Sequence, residues 1–243
     1  MPMPVVVGVG VSAAGTGNIT PPYPAAYTAI ANHVAITFIE TTSEIITAPT
    51  NWAQVTTINT TSGELTRLSA FWRRLTNGEA APAYTTVANH KVGRMIVVSG
   101  CRTAGNPFSS NPASLENVSD TTVSIPGTTT VDANCLCLYA FGTGQDTAST
   151  AGATGWANAS LASVLERMDD WTSQGVGGGF AMASGEKAVA GATGAMTATL
   201  SLLANFKTLM CIALVGAATV ANRPQQRRQH KLKLPLAGMS YGR

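Results

Sequence analysis

The chain has 243 residues, with 24 glycines, 12 prolines, a formal net charge of +3 and only 11% charged residues. That length allows one large β domain or two small ones and a substantial core without staples, while the charge content lies well under the roughly 25% of an ordinary globular domain. No apolar run reaches the roughly 18 residues that a membrane-spanning helix needs, and the basicity does not belong to the body: residues 1–222 hold nine Lys/Arg against twelve Asp/Glu, whereas the remainder holds six cations and no acid.

The N-terminus, Met1-Pro2-Met3-Pro4, has no basic region before its apolar run, so no secretory signal is expected. The sequons at Asn18, Asn59, Asn117 and Asn158 carry no weight without export. Short β-like segments then follow one another: Val5–Val11, Val34–Thr41, Trp52–Ile58, Leu65–Leu75, Lys91–Gly100, Thr121–Ile125, Cys135–Phe141, Ser163–Asp169, Gly179–Ala188, Met196–Leu202 and Leu209–Val215. Gly, Pro, Asn, Ser and Thr clusters separate them, which argues for a sandwich or barrel. One segment is ambiguous. Asn158 to Trp171 places Leu161, Val164, Leu165 and Met168 at helical spacing, so a helix competes there with a strand.

A faint duplication runs through this order. Val34-Ala35-Ile36-Thr37-Phe38, Trp52, Ser69-Ala70-Phe71-Trp72 and Met95-Ile96-Val97-Val98 are echoed by Cys135-Leu136-Cys137-Leu138-Tyr139, Trp156, Gly179-Phe180-Ala181-Met182 and Met210-Cys211-Ile212-Ala213. The leading strands Val5–Val9 and Thr122–Ile125 take equivalent places. The expectation is an all-β, two-sheet antiparallel sandwich of jelly-roll type over residues 1–217, with pseudo-repeats of about 1–117 and 118–217, followed by a basic arm over 218–243. Trp52 and Trp156 are core anchors on this reading, with ligand-stacking aromatics as the rival.

The four cysteines (Cys101, Cys135, Cys137, Cys211) show no metal or redox spacing and sit in or beside apolar runs, so they read as reduced core thiols made in a reducing compartment. His33, His90 and His230 are far apart, and none has the close partner of a zinc site. Gly8-Val9-Gly10 lacks the third glycine of a dinucleotide loop. Gly238-Met239-Ser240-Tyr241-Gly242 matches the nucleophile-elbow pattern literally, but no histidine follows it. Asp169 and Asp170 are adjacent, so on a strand they face opposite ways and form no close catalytic pair. Arg73-Arg74 reads as a strand end at the surface. No catalytic constellation, cofactor site or metal site is expected.

Several motifs resemble, in their order and spacing, a group of virion structural proteins of tailed bacteriophages. They are Pro21-Pro22-Tyr23-Pro24, Ile46-Thr47-Ala48-Pro49 leading to Trp52, Phe71-Trp72-Arg73-Arg74 with Gly78-Glu79-Ala80, Gly105-Asn106-Pro107-Phe108, Ser124-Ile125-Pro126-Gly127, and Gly177-Gly178-Gly179-Phe180 with Gly185-Glu186-Lys187. The resemblance spans roughly residues 15–217. It implies a non-enzymatic exterior particle protein, a capsid decoration (cement) protein or a tail or neck accessory, assembled in the host cytoplasm and located in the virion. Its partners would be the major capsid protein or other virion subunits, with a homo-oligomer, a trimer, hiding apolar rims. The competing reading is a tail- or neck-associated protein that adheres to host surface glycans. A glycan hydrolase would need two converging carboxylates.

The arm falls outside the resemblance. Arg223, Arg227, Arg228, Lys231 and Lys233 carry its charge, and Leu232 and Leu234 alternate with the lysines. Such a segment reads as a solvated tail, as an arm ordering on an acidic neighbouring subunit, or as a nonspecific contact to nucleic acid phosphates.

Overall fold

The computed structural model describes residues 1–146, 152–204 and 206–218. Among them there is no helix; the elements are strands joined by turns and loops. In chain order they are β1 (Val5–Val9), β2 (Ala13–Gly15), β3 (Val34–Thr41), β4 (Ala53–Asn59), β5 (Arg67–Arg74), β6 (Lys91–Ser99), β7 (Phe108–Ser110), β8 (Ala113–Glu116), β9 (Asp120–Ile125), β10 (Thr129–Thr130), β11 (Cys135–Thr143), β12 (Ala153–Ala157), β13 (Ala162–Thr172), β14 (Gly178–Lys187), β15 (Gly191–Ala192), β16 (Met196–Ala204) and β17 (Lys207–Val215). All pairings are antiparallel.

Two six-stranded sheets carry the fold. The first has the order β1-β6-β3-β5-β4, with β2 continuing the β1 edge along β6; the second has the order β13-β14-β11-β17-β7, with β8 continuing the β7 edge along β17. Read outward from the split edge strand, each sheet follows the same sequence of strands: first, fifth, second, fourth, third. The order therefore differs from the Greek key, whose strands lie fourth, first, second, third. The sheets face each other across one core, with β3 packed on β14, β5 on β11, β6 on β13, and β17 on β4. That core contains Ile36, Phe38, Leu68, Ala70, Ile96 and Val98 from the first sheet and Leu138, Ala140, Phe180, Met182, Ile212 and Leu214 from the second.

The outer face of each sheet is covered differently. On the second, β12, β16 and β9 form a three-stranded sheet whose Val123, Ile125, Met196, Ala198 and Leu200 pack on the alternate residues of β11, β14 and β17, including Cys137, Tyr139 and Cys211. On the first, loops do this work: Ile19, Ala29, Ile46, Trp52 and Tyr84 cover Ala35, Ile39, Phe71, Met95 and Val97. β3, β11 and β17 are buried along their whole length, which is why they read as continuous apolar runs rather than alternations.

Three sequence expectations change here. The strand Thr122–Ile125 does not match Val5–Val9; it lies in β9 of the covering sheet, and β7 and β8 take the place that β1 and β2 hold in the first sheet. Trp156 does not match Trp52: it sits on β12 in the covering sheet, whereas the counterpart of β4 by sheet position is β13. Asn158–Trp171 contains no helix. β13 carries two irregularities, between Ala162 and Leu165 and between Glu166 and Met168, and each inserts a residue that breaks the two-residue alternation. Leu161 and Val164 therefore face the covering sheet while Met168 faces the inner core, at spacings that imitate a helix.

The four cysteines are buried and free. Burial pushes the thiols of Cys101 and Cys211 up to about 12 and that of Cys135 up to about 11, which leaves them protonated and inert.

Candidate functional site

The most polar part of the interior lies at one end of the two main sheets. Glu40, near the end of β3, and His90, just before β6, are both fully buried. His90 Nε2 meets Glu40 Oε2 at 2.8 Å, Thr66 donates its hydroxyl to Glu40 Oε1 at 2.8 Å, and Thr42 Oγ1 lies 3.0 Å from His90 Nδ1. Burial pushes the Glu40 carboxyl above its ordinary value. Burial alone would lower His90, but the hydrogen bond and charge of Glu40 outweigh it and hold the imidazole above its ordinary value. Both shifts favour the protonated form of each group relative to a free side chain.

The second sheet makes room for this pair. A Cβ on Gly178 would lie 2.5 Å from His90 Nε2 and 2.8 Å from Glu40 Oε2, and one on Gly142 would lie 3.4 Å from Glu40 Cγ. The run Gly177-Gly178-Gly179, which looks like a generic turn in the sequence, is therefore required partly by what it faces.

Above Thr42 opens a cleft of about 320 Å³ lined by Thr42, Glu64, Leu65, Gly144, Asp146 and Val176. Its rim is tied together across loops: Asn89 donates its backbone N–H to Glu44 at 2.6 Å, and Val176 donates its own to Asn89 Oδ1 at 2.7 Å. Burial works against the Glu44 charge, but N–H donors from Ser43 and Asn89 outweigh it and hold the carboxyl below its ordinary value. Neither Glu64 nor Asp146 has a cation within salt-bridge distance among the described residues. Glu64 Oε2 is enclosed and has no hydrogen-bond partner there.

Chemically, Thr42–His90–Glu40 has the connectivity of a hydroxyl–imidazole–carboxylate relay. The cleft it opens on is walled by carboxylates, which oppose the negative charge that develops in acyl transfer, where an active site would aim donors. The arrangement suits holding a cation.

A second depression, about 460 Å³, lies between the 47–52 and 79–85 loops, with Trp52 in its lining. Trp52 is 8% exposed, so it offers a sugar little of its face. Trp156 is half-buried against Phe141 and donates its indole N–H to Glu166. His33 stacks on Tyr27 and meets its hydroxyl at 2.9 Å. Asp169 and Asp170 point opposite ways as expected: Asp169 accepts from the Ala153 N–H and the Trp171 indole, while Asp170 pairs with Arg94 across the sheets at 3.1 Å. Among the described residues no group of three or more His, Cys, Asp or Glu is placed to hold a metal ion.

Arg223, Arg227, Arg228, Lys231, Lys233, His230 and the Gly238–Gly242 pattern lie outside the described residues. Sequence reasoning missed the Glu40–His90 pair because fifty residues separate its members. The available signal was a carboxylate inside the apolar run of β3, since buried carboxylates need partners. No protein-family model, curated protein or solved structure matches the chain.

Proposed function

We propose that the chain is a non-enzymatic structural component of a tailed-phage particle, a capsid decoration protein built as a two-sheet sandwich and docked on neighbouring subunits. The observation that carries this reading is the β1 edge. β1 ends its sheet with no strand beyond it among the described residues, and Val5, Val7 and Val11 stand 59%, 43% and 66% exposed along it. An apolar open edge is a liability for a free monomer. The bulge between Val6 and Gly8 interrupts its backbone pairing, but the valines still stand exposed, and burial against a neighbour would cover them. The sparse surface charge and the motif resemblance support the same reading.

The shared inner core supports a sandwich, and the matching strand orders support a duplicated five-strand unit. Each half of the chain supplies one whole main sheet, whereas a jelly roll winds its Greek keys between two sheets, so duplication is the better supported of the two descriptions.

Quantitative mass spectrometry of purified virions tests the assignment. The expected result is a copy number equal to that of the major capsid protein or a simple fraction of it; absence from the particle overturns the assignment, and a handful of copies moves the chain to the tail or neck. Within this reading the basic arm contributes to docking. Deleting residues 223–243 should leave the fold intact and weaken attachment, more so at high salt, because the arm's charges are screened.

A further inference from the structure

We infer that the acidic cleft between Glu64 and Asp146 receives the basic C-terminal segment of a second copy of this chain, so that subunits join head to tail. The inference rests on the reading above that the arm docks, and adds where it docks and on what.

Three observations lead to it. The first is charge: the body, residues 1–222, carries −3 and the remainder +6, and the cleft holds two carboxylates with no cationic partner among the described residues. The second is the enclosed Glu64 Oε2, which has no hydrogen-bond donor there; an acceptor shut away from water costs free energy unless a donor reaches it. Leu65 and Val176 stand 38% and 50% exposed at the same cleft, giving an apolar footing to the stem of a long cationic side chain or to the leucines that alternate with Lys231 and Lys233.

The third observation is position. Thr42 and Gly144 directly follow β3 and β11, and Leu65 and Val176 shortly precede β5 and β14, so the cleft lies at the Lys207 end of β17. The chain leaves β17 at Val215, which pairs with Cys135 at the far end of β11. Nine residues of strand, about 30 Å, separate the two ends. The arm's cations, Arg223 to Lys233, lie six to sixteen residues beyond Ala217, a reach of at most about 20 to 55 Å. The strand leads away from the cleft, however, so the subunit's own cleft is met only by doubling back along the whole of β17. An arm leaving one end of a subunit meets this cleft most directly on the next subunit, a heterologous contact that closes into a ring when the rotation permits.

Charge reversal in the full-length chain tests the pairing, read by sedimentation velocity at low and high salt. The cleft variant is Glu64→Lys with Asp146→Lys, and the arm variant is Arg227→Glu with Arg228→Glu. The wild-type chain should self-associate with marked salt dependence, each variant alone should be monomeric, and the chain carrying all four substitutions should associate again. A mixture of cleft variant and arm variant should form dimers, because one intact arm and one intact cleft remain; absence of mixed dimers refutes docking between copies. Loss of association in the arm variant with none in the cleft variant overturns the cleft assignment while leaving arm docking standing. A monomeric wild-type chain overturns the inference outright. The neutral variant Glu64→Gln with Asp146→Asn guards against misfolding: it should melt as the wild type does and lose at least tenfold in association affinity, and unchanged affinity overturns the inference.

Discussion

The two sheets are built on one plan and diverge where the plan leaves a choice. Glu40 stands opposite Leu68 and Val92 in the first sheet, and Gly142 stands opposite Phe180 and Thr208 in the second. In that correspondence the inward residues match in kind, Ile36 with Leu138 and Ile96 with Ile212, and Lys91 matches Lys207. Both lysines are fully buried, yet Lys91 donates to the Tyr84 and Thr86 carbonyls while Lys207 donates to Glu116, Asp120 and the Val118 carbonyl. At the polar end the units part. Glu40, Thr66 and His90 in the first correspond to Gly142, Gly178 and Phe206 in the second. Across the pseudo-symmetric interface, Arg94 facing Asp170 corresponds to Met210 and Ile58, both of which pack in the inner core. At the polar end the first copy carries the Glu40–His90 pair and the second supplies Gly142 and Gly178 opposite it. A core formed from two like units can hold a buried polar pair without displacing its apolar packing when the facing unit gives up side-chain volume.

Imposing the second unit's residue on the first breaks this division most severely at His90. His90→Phe leaves Glu40 buried with Thr66 as its one remaining hydrogen-bond donor among the described residues, and removing one member of a buried pair costs about 3–5 kcal/mol. Adding Glu40→Met should recover most of that loss, since a well-packed apolar replacement of both partners is often neutral. Urea denaturation of both variants checks this; a double variant as unstable as the single one would show that volume, not charge, governs the site.

Gly178→Ala attacks the same pair from the facing sheet. The backbone there has φ 153°, a conformation that an L side chain rarely adopts, and the added Cβ would press on His90 and Glu40. Strain and overpacking together should cost about 2–4 kcal/mol. Gly78→Ala is the control: its φ of 69° is also left-handed, but a Cβ there meets nothing within 4 Å, so it should lose about 1 kcal/mol from strain alone. Equal losses at the two glycines would remove steric fit from the account.

Much of this plan is legible in the sequence, and the exceptions have physical causes. Val34–Thr41 and Cys135–Thr143 are readable because burial along their whole length makes them largely apolar runs. β2, β7 and β8 are short edge pieces of three or four residues whose pairing depends on β6 and β17, so local pattern does not announce them. β13 misleads because its irregularities shift the alternation. The covering sheet misleads differently: β9 alternates like any half-buried strand, and alternation does not say which sheet a strand joins. The candidate site is the least legible part, since Glu40, Glu64 with Thr66, His90 and Asp146 come from four separate places in the chain and only Glu40, inside an apolar run, stands out in its own neighbourhood.

A milder exchange concerns the ion pair between the sheets. Asp170→Ile with Arg94→Met copies the apolar side of the interface, and replacing a partly buried ion pair by apolar residues should change stability by no more than about 1 kcal/mol. Asp170→Ile alone should cost about 2 kcal/mol, because Arg94 would keep its hydrogen bond to the Gly10 carbonyl but lose its counter-charge. Denaturant midpoints of the two variants give the comparison directly, and a double variant worse than the single one would show that the pair stabilises beyond its packing.

The smallest expected effect is one of pH, and its sign follows from the Glu40–His90 pair. Both groups are held above their ordinary values in the folded protein, so the folded state keeps a proton that the unfolded chain gives up. The contribution of His90 is fully present below its ordinary value of 6.5 and is lost as pH rises through the higher folded value. His33 works in the opposite direction, since burial holds it below its ordinary value. Glu44, which faces His90 from the same end of the sheets, is held low and completes its titration at more acid pH. Comparing the wild type with the Glu40→Met, His90→Phe double variant cancels His33 to first order and leaves the pair. The wild type should lose stability relative to the double variant as pH rises above the ordinary His90 value of 6.5, as read from urea midpoints at each pH. A gap that stays constant over that range would mean that the pair holds no extra proton and that hydrogen-bond geometry alone, without charge, explains why only one unit carries it.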